Sequence, residues 1–232
     1  MRQVAPNVYM IEGLRTSNVY VLTSSEGLTL VDTGSPGDGG KIVSQLEEGG
    51  HTLSDLKTIL LTHCHGDHVG NAASLVARSG AWVMAHEEDI PYIEQTTSLP
   101  ALSSWRRILN WLMDKLMPTS PCEVNNALHD GDVVATLGGL HVIHVPGHTP
   151  GSIVFYQPER QLLFCGDVLF NGHPFTGRGG LQMPPRFFSV DPAQAEASAR
   201  ELADLSVEAI CFGHGAPLRE GAQAALKRVA QV

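Results

Sequence analysis

Apolar and polar positions fall into short runs that alternate between two periods. Val19 to Thr23 and Leu28 to Val31 are β-branched and apolar, and Ser24-Ser25-Glu26-Gly27 between them supplies a hairpin turn. From about Gly37 to Glu48 the pattern is helical, stopped by Gly49-Gly50. Lys57 to Thr62 is a short, mostly apolar run that suits a buried strand. A helix from about Asp67 to Arg78 follows, with Gly80 as its stop signal, and then a buried strand from Ala81 to Ala85. The second half repeats the outline. Strands are expected over Gly131 to Thr136, His141 to Val145, Ser152 to Tyr156 and Leu162 to Cys165, with turns at Asp130-Gly131 and Pro158-Glu159-Arg160. Asp191-Pro192 provides an N-cap and a first-turn proline for a helix to about Leu205. Val207 to Phe212 is the last buried strand, and roughly Glu220 to Val229 the last helix.

This alternation predicts an α/β protein made of two similar β-rich halves, residues 1–232 forming one domain. Glu87 to Val124 breaks the rhythm. It holds Trp105 and Trp111, an apolar stripe through Leu102, Ile108, Leu109, Leu112 and Leu116, and prolines at 100, 118 and 121. It reads as a helical insertion, either a lid or a helix packed on the core.

Composition narrows the partners. The formal net charge is −9 and only Lys41, Lys57, Lys115 and Lys227 are lysines, so an acidic surface argues against nucleic acid. No run approaches the roughly 18 apolar residues of a membrane span, and the start lacks a leader's apolar stretch. Cys64, Cys122, Cys165 and Cys211 form no CxxC pair. These features point to a cytoplasmic protein with reduced thiols, no membrane or nucleic-acid partner and a small-molecule substrate.

Histidine is the unusual component, at eleven residues. In His63-Cys64-His65-Gly66-Asp67-His68, directly after a buried strand, His63 and His65 are two apart and point the same way in an extended segment, so both can bind one cation. Asp67 and His68 open a helix, point elsewhere and can serve a second cation; the helix N-terminus disfavours a protonated His68. His148 sits in the stiff turn Pro146 to Gly151, Asp167 at the end of another strand, and His214 between glycines at a third. Asp32, at the end of a buried strand, is a candidate to orient a ligand histidine or to cap a turn. His141 and His144 are three apart on one strand and are read as structural or surface residues. His173 and Arg178, in the long loop from Gly172 to Pro185, are candidate substrate contacts, Arg178 for a carboxylate.

From Asp32-Thr33-Gly34 to His214 the chain resembles the metallo-β-lactamase superfamily, in its glyoxalase II-like and lactonase-like branch. The resemblance implies a four-layer αβ/βα sandwich. It implies one metal held by His63, His65 and His148, a second by Asp67, His68 and His214, and Asp167 bridging them, with Asp67 also taken as catalytic. Two divalent ions are expected, zinc first, with iron or manganese as alternatives. The implied reaction is attack of metal-bound hydroxide on an ester, lactone or thioester. Asp167 stands where β-lactamases carry cysteine or serine. Glyoxalase II enzymes add a C-terminal helical domain and basic groups that hold glutathione; this sequence ends soon after His214 and is poor in lysine, so a glutathione thioester is a substrate that the pattern allows without supporting. Two other readings fit the pattern: an iron-dependent persulfide dioxygenase, using residues matching His63, His148 and Asp167, and a non-catalytic metal-binding module.

Overall fold

A computed structural model describes residues 1–100, 115, 118–172 and 179–230. It divides into two compact units, Met1–Leu128 and His129–Val232. In the first unit the strands are β1 (Arg2–Ala5), β2 (Val8–Met10), β3 (Tyr20–Ser24), β4 (Gly27–Val31), β5 (Leu56–Leu60), β6 (Trp82–His86) and β7 (Asn126–Leu128). They form one sheet in sequence order. β1 to β4 pair antiparallel as hairpins; β4, β5, β6 and β7 pair parallel. Parallel strands need crossovers, and helices α1 (Gly39–Glu48), α2 (Gly66–Val69) and α3 (Ala72–Ser79) lie in them. Val21, Leu28, Leu30, Ile42, Leu46, Ile59, Leu75 and Val83 share the core.

The parallel set decides where chemistry can gather. β4, β5 and β6 run the same way, so Asp32, the His63 to His68 run and the residues after His86 all leave the same end of the sheet. Side chains at that end converge, as is usual for α/β sites.

The helix expected from Asp67 to Arg78 is two helices. In a continuous helix the His68 carbonyl would accept from Ala72 N–H. Here Thr33 takes it, through its N–H at 2.7 Å and its hydroxyl at 2.8 Å. Asn71 Nδ2 then donates to the carbonyls of Thr33 and Ser35. Gly70 packs so closely on this loop that a Cβ there would lie 2.5 Å from the Gly34 oxygen. Five strands are not expected from the pattern: β1, β2 and β7 in this unit, and two short ones, Phe170–Asn171 and Leu181–Gln182, in the other, the latter inside the stretch read as a long loop.

The insertion leaves β6 through a short turn and α4 (Ile90–Ile93), and Cys122 N–H returns to the Ile93 carbonyl. The tryptophan-containing stripe of this segment lies outside the described residues. β7 then pairs parallel with β6.

The second unit has strands β8 (Val133–Val134), β9 (Leu140–His144), β10 (Ile153–Gln157), β11 (Leu162–Gly166) and β14 (Ala209–Phe212), in the order β14-β11-β10-β9-β8, with β12 (Phe170–Asn171) and β13 (Leu181–Gln182) as a separate pair. β8 to β11 pair antiparallel, and β11 pairs parallel with β14. β9, β11 and β14 therefore share a direction, and His148, Asp167 and His214 each follow one of them. Helix α5 (Pro192–Glu201) begins as expected at Asp191, whose Oδ1 accepts from Ala193 and Gln194 N–H. With α6 (Ala222–Ala230) it covers a core containing Val154, Leu163, Cys165, Ile210, Phe212 and Leu226. No helix among the described residues is long and apolar enough to cross a membrane.

Candidate metal centre

In the first unit the four expected donors stand together. The rings of His63 and His65 are 4.8 Å apart between centroids, and those of His63 and His68 are 4.1 Å apart. Asp67 Oδ2 is 3.9 Å from His68 Nε2. His63 and His68 are buried, whereas His65 and Asp67 are half-buried.

Asp32 organises this group. It is 2% exposed and has a left-handed φ of 61°, a conformation that aspartate tolerates better than most residues. Its Oδ1 accepts Thr62 N–H at 2.8 Å, and its Oδ2 accepts the Thr62 hydroxyl at 2.9 Å. Oδ2 also lies 2.8 Å from His68 Nδ1. A carboxylate only accepts, so His68 carries its proton on Nδ1 and its lone pair on Nε2. The Thr62 hydroxyl, having donated to Asp32, faces His63 Nδ1 at 3.1 Å as an acceptor, which leaves the lone pair of His63 on Nε2 as well. One carboxylate thus sets two imidazoles in the tautomer that ligates through Nε2.

In the second unit Asp167 Oδ2 lies 3.6 Å from His148 Nε2 and 3.2 Å from His214 Nε2. Two imidazoles and one carboxylate oxygen therefore face a common point. His148 Nδ1 sits 3.4 Å from the Ser189 hydroxyl. The His214 ring packs on Phe170, and its carbonyl accepts Asn171 N–H at 3.2 Å. Gly215 has φ +94°, and a Cβ there would meet the Asn171 oxygen at 2.1 Å, so glycine is required beside His214. Nε2 of His63, His68 and His148 and Oδ1 of Asp167 are shut off from solvent, with no hydrogen bond to them among the described residues. Imidazole nitrogen with carboxylate oxygen is a donor set that zinc, iron and manganese accept, so both groups fit a divalent ion.

The other candidates divide. His144 Nε2 bonds the Pro150 carbonyl at 2.8 Å and so pins the loop that carries His148, while His141 is exposed. Cys64 and Cys165 are core residues. Burial above all, with Asp167 adding, holds the Cys165 thiol well above its usual range. His173 and Arg178 lie outside the described residues. Two contributors had no signal of their own in the sequence. Thr62 precedes the histidine run as an ordinary strand residue. Asp89, fully buried, accepts Cys64 N–H at 2.8 Å from 25 positions away.

Residues 13–214 match the model of the metallo-beta-lactamase superfamily. A probable metallo-hydrolase of Bacillus subtilis (strain 168) is 28% identical over 88% of this chain and 83% of that protein. A hydroxyacylglutathione hydrolase of Pseudomonas aeruginosa (strain LESB58) is 34% identical over 73% of this chain but only 50% of its own length, so the chain spans half of that enzyme. A protein solved in a di-iron-bound form is 31% identical with a TM-score of 0.64, covering 90% of this chain and 93% of that one.

Proposed function

Because the chain belongs to the metallo-β-lactamase superfamily and has its α/β fold, we propose that it is a metal-dependent hydrolase of acyl compounds: an ester, a lactone or, first among them, a thioester. In this reading His63, His65 and His148 hold one divalent ion, Asp67, His68 and His214 hold a second, and Asp167 contacts both. Zinc is the first candidate, with iron and manganese as alternatives. When bound, the ions supply Lewis acidity and a water ionised at neutral pH. The chain's own residues keep the donors ready. Asp32 and Thr62 hold the Nε2 lone pairs of His68 and His63 in place, and Asp167 places negative charge between His148 and His214.

The observation that carries the reading is the 2.8 Å contact of Asp32 Oδ2 with His68 Nδ1 in a fully buried pair. A histidine that ligates a metal through Nε2 commonly donates its Nδ1–H to a carboxylate, the arrangement that Asp32 and His68 have here. The thioester preference rests on the hydroxyacylglutathione hydrolase relative. The test is a panel of thioester, ester, lactone, phosphoester and chromogenic β-lactam substrates, with wild type against Asp67→Ala. We expect turnover of an acyl substrate by wild type and a loss of about 100-fold or more in the variant. Turnover of no acyl substrate overturns the assignment. One iron per chain with oxygen uptake would instead support the dioxygenase reading.

A further inference from the structure

Asp89 occupies the N-cap position of α4, with Pro91 just inside the helix, a sequence that ordinarily closes a helix end. Its side chain makes no capping bond. Oδ2 instead accepts the N–H of Cys64 at 2.8 Å, and the residue is 0% exposed. A carboxylate taken wholly out of water is costly unless donors compensate it. An exposed cap would have avoided that cost, so the burial marks a position held for something other than the helix.

Cys64 is the residue between His63 and His65. Fixing the direction of its N–H fixes the peptide plane that joins His63 to Cys64, and with it the torsions on either side. Those torsions set how the two imidazoles stand to one another, at 4.8 Å and 83° between ring planes. His68 is anchored separately, by Asp32 on its ring and Thr33 on its carbonyl. We propose that Asp89 is a positioning residue for the His63–His65 pair, acting through the Cys64 amide, and that it governs one of the two proposed ions and not the other. The inference rests on the two-ion reading above. It gives the strand ends divided duties. Asp32, from the end of β4, holds His68 directly and His63 through Thr62, while Asp89, beyond the end of β6, holds the backbone between His63 and His65.

The test compares wild type, Asp89→Ala and Asp89→Asn in zinc competition titrations against a chromophoric chelator. Hydrogen exchange at the Cys64 amide is measured on the same proteins without metal. Wild type is expected to bind two equivalents. In Asp89→Ala one dissociation constant rises by about 10–100-fold while the other stays within a few fold. The Cys64 amide, protected in wild type, exchanges at least about tenfold faster. Asp89→Asn, which keeps an acceptor oxygen, restores both the affinity and the protection. Two unchanged constants in a cooperatively melting Asp89→Ala, or two that rise equally, overturn the proposal. If the alanine variant does not fold, an asparagine variant with a weakened ion overturns it, and one with wild-type constants and a protected Cys64 amide supports it. A single equivalent on wild type refutes the two-ion reading instead, and the clamp then still requires that this one ion bind more weakly in Asp89→Ala.

Discussion

Replacing Asp32 by asparagine isolates one atom's role. The carboxylate receives Thr62 N–H at 2.8 Å, the Thr62 hydroxyl at 2.9 Å and His68 Nδ1–H at 2.8 Å, all in a residue 2% exposed. Asparagine has nearly the same shape and tolerates the left-handed φ of 61°, so the backbone need not move. Its single amide oxygen best serves the two donors of Thr62, which turns the NH2 group towards His68. Bonds to a charged acceptor contribute roughly 1.5–3 kcal/mol and neutral ones roughly 0.5–1.5, so the two retained bonds lose about 1 kcal/mol each. The third becomes donor against donor. A neutral imidazole relieves that clash by moving its proton to Nε2, and Nδ1 then accepts from the amide. The relief removes the lone pair through which His68 would ligate. We expect unfolding free energy to fall by about 3 kcal/mol in urea, zinc affinity to fall about 10–100-fold, and long-range ¹⁵N–¹H spectra of the metal-free protein to show His68 switched to the Nε2–H form. An Asp32→Asn protein that retains the Nδ1–H form and binds zinc as wild type does refutes the reasoning.

Other expectations follow from single contacts. Gly70→Ala places a Cβ 2.5 Å from both the Gly34 oxygen and the Pro36 nitrogen, and should cost at least the 1–3 kcal/mol typical of overpacking, roughly; an unchanged urea midpoint contradicts it. Asp191→Ala removes the acceptor for Ala193 and Gln194 N–H and should cost about 1 kcal/mol, whereas Asp191→Asn should cost only a fraction of that in the same assay. Burial above all, with Glu123 and Glu94 adding, pushes the Cys122 thiol from 9.0 up to about 11. The fold therefore favours the neutral thiol, and this contribution is complete below pH 9 and drains away as pH rises from 9 towards about 11. Cys122→Ala should flatten that alkaline limb of the stability–pH curve, and an unchanged slope contradicts the assignment.

Much of the arrangement was legible because it is written in local periodicity. The β3–β4 hairpin, the buried run of β5 and the Asp191 cap each depend on neighbours in sequence, and each stands where the pattern put it. What escaped the reading depends on residues far apart. The helix expected from Asp67 to Arg78 breaks because Thr33, from another loop, claims the His68 carbonyl. β7 is three residues long and exists because β6 offers it a free edge to pair with. Asp89 looks like a helix cap in sequence, and only the return of the chain past β5 gives it Cys64 instead. Within the candidate site, the spacing of His63, His65, Asp67 and His68 marked four candidate donors. The hydroxyl of Thr62, which ties His63 to Asp32, left no trace in that spacing.

The proposed function has seven side chains holding two ions. It is tested most directly by diffraction from crystals of the purified protein loaded with zinc, recorded on both sides of the zinc absorption edge. The account predicts two anomalous peaks, one in contact with His63, His65 and His148, the other with Asp67, His68 and His214, and Asp167 touching both. A single peak, or peaks away from these residues, would contradict it.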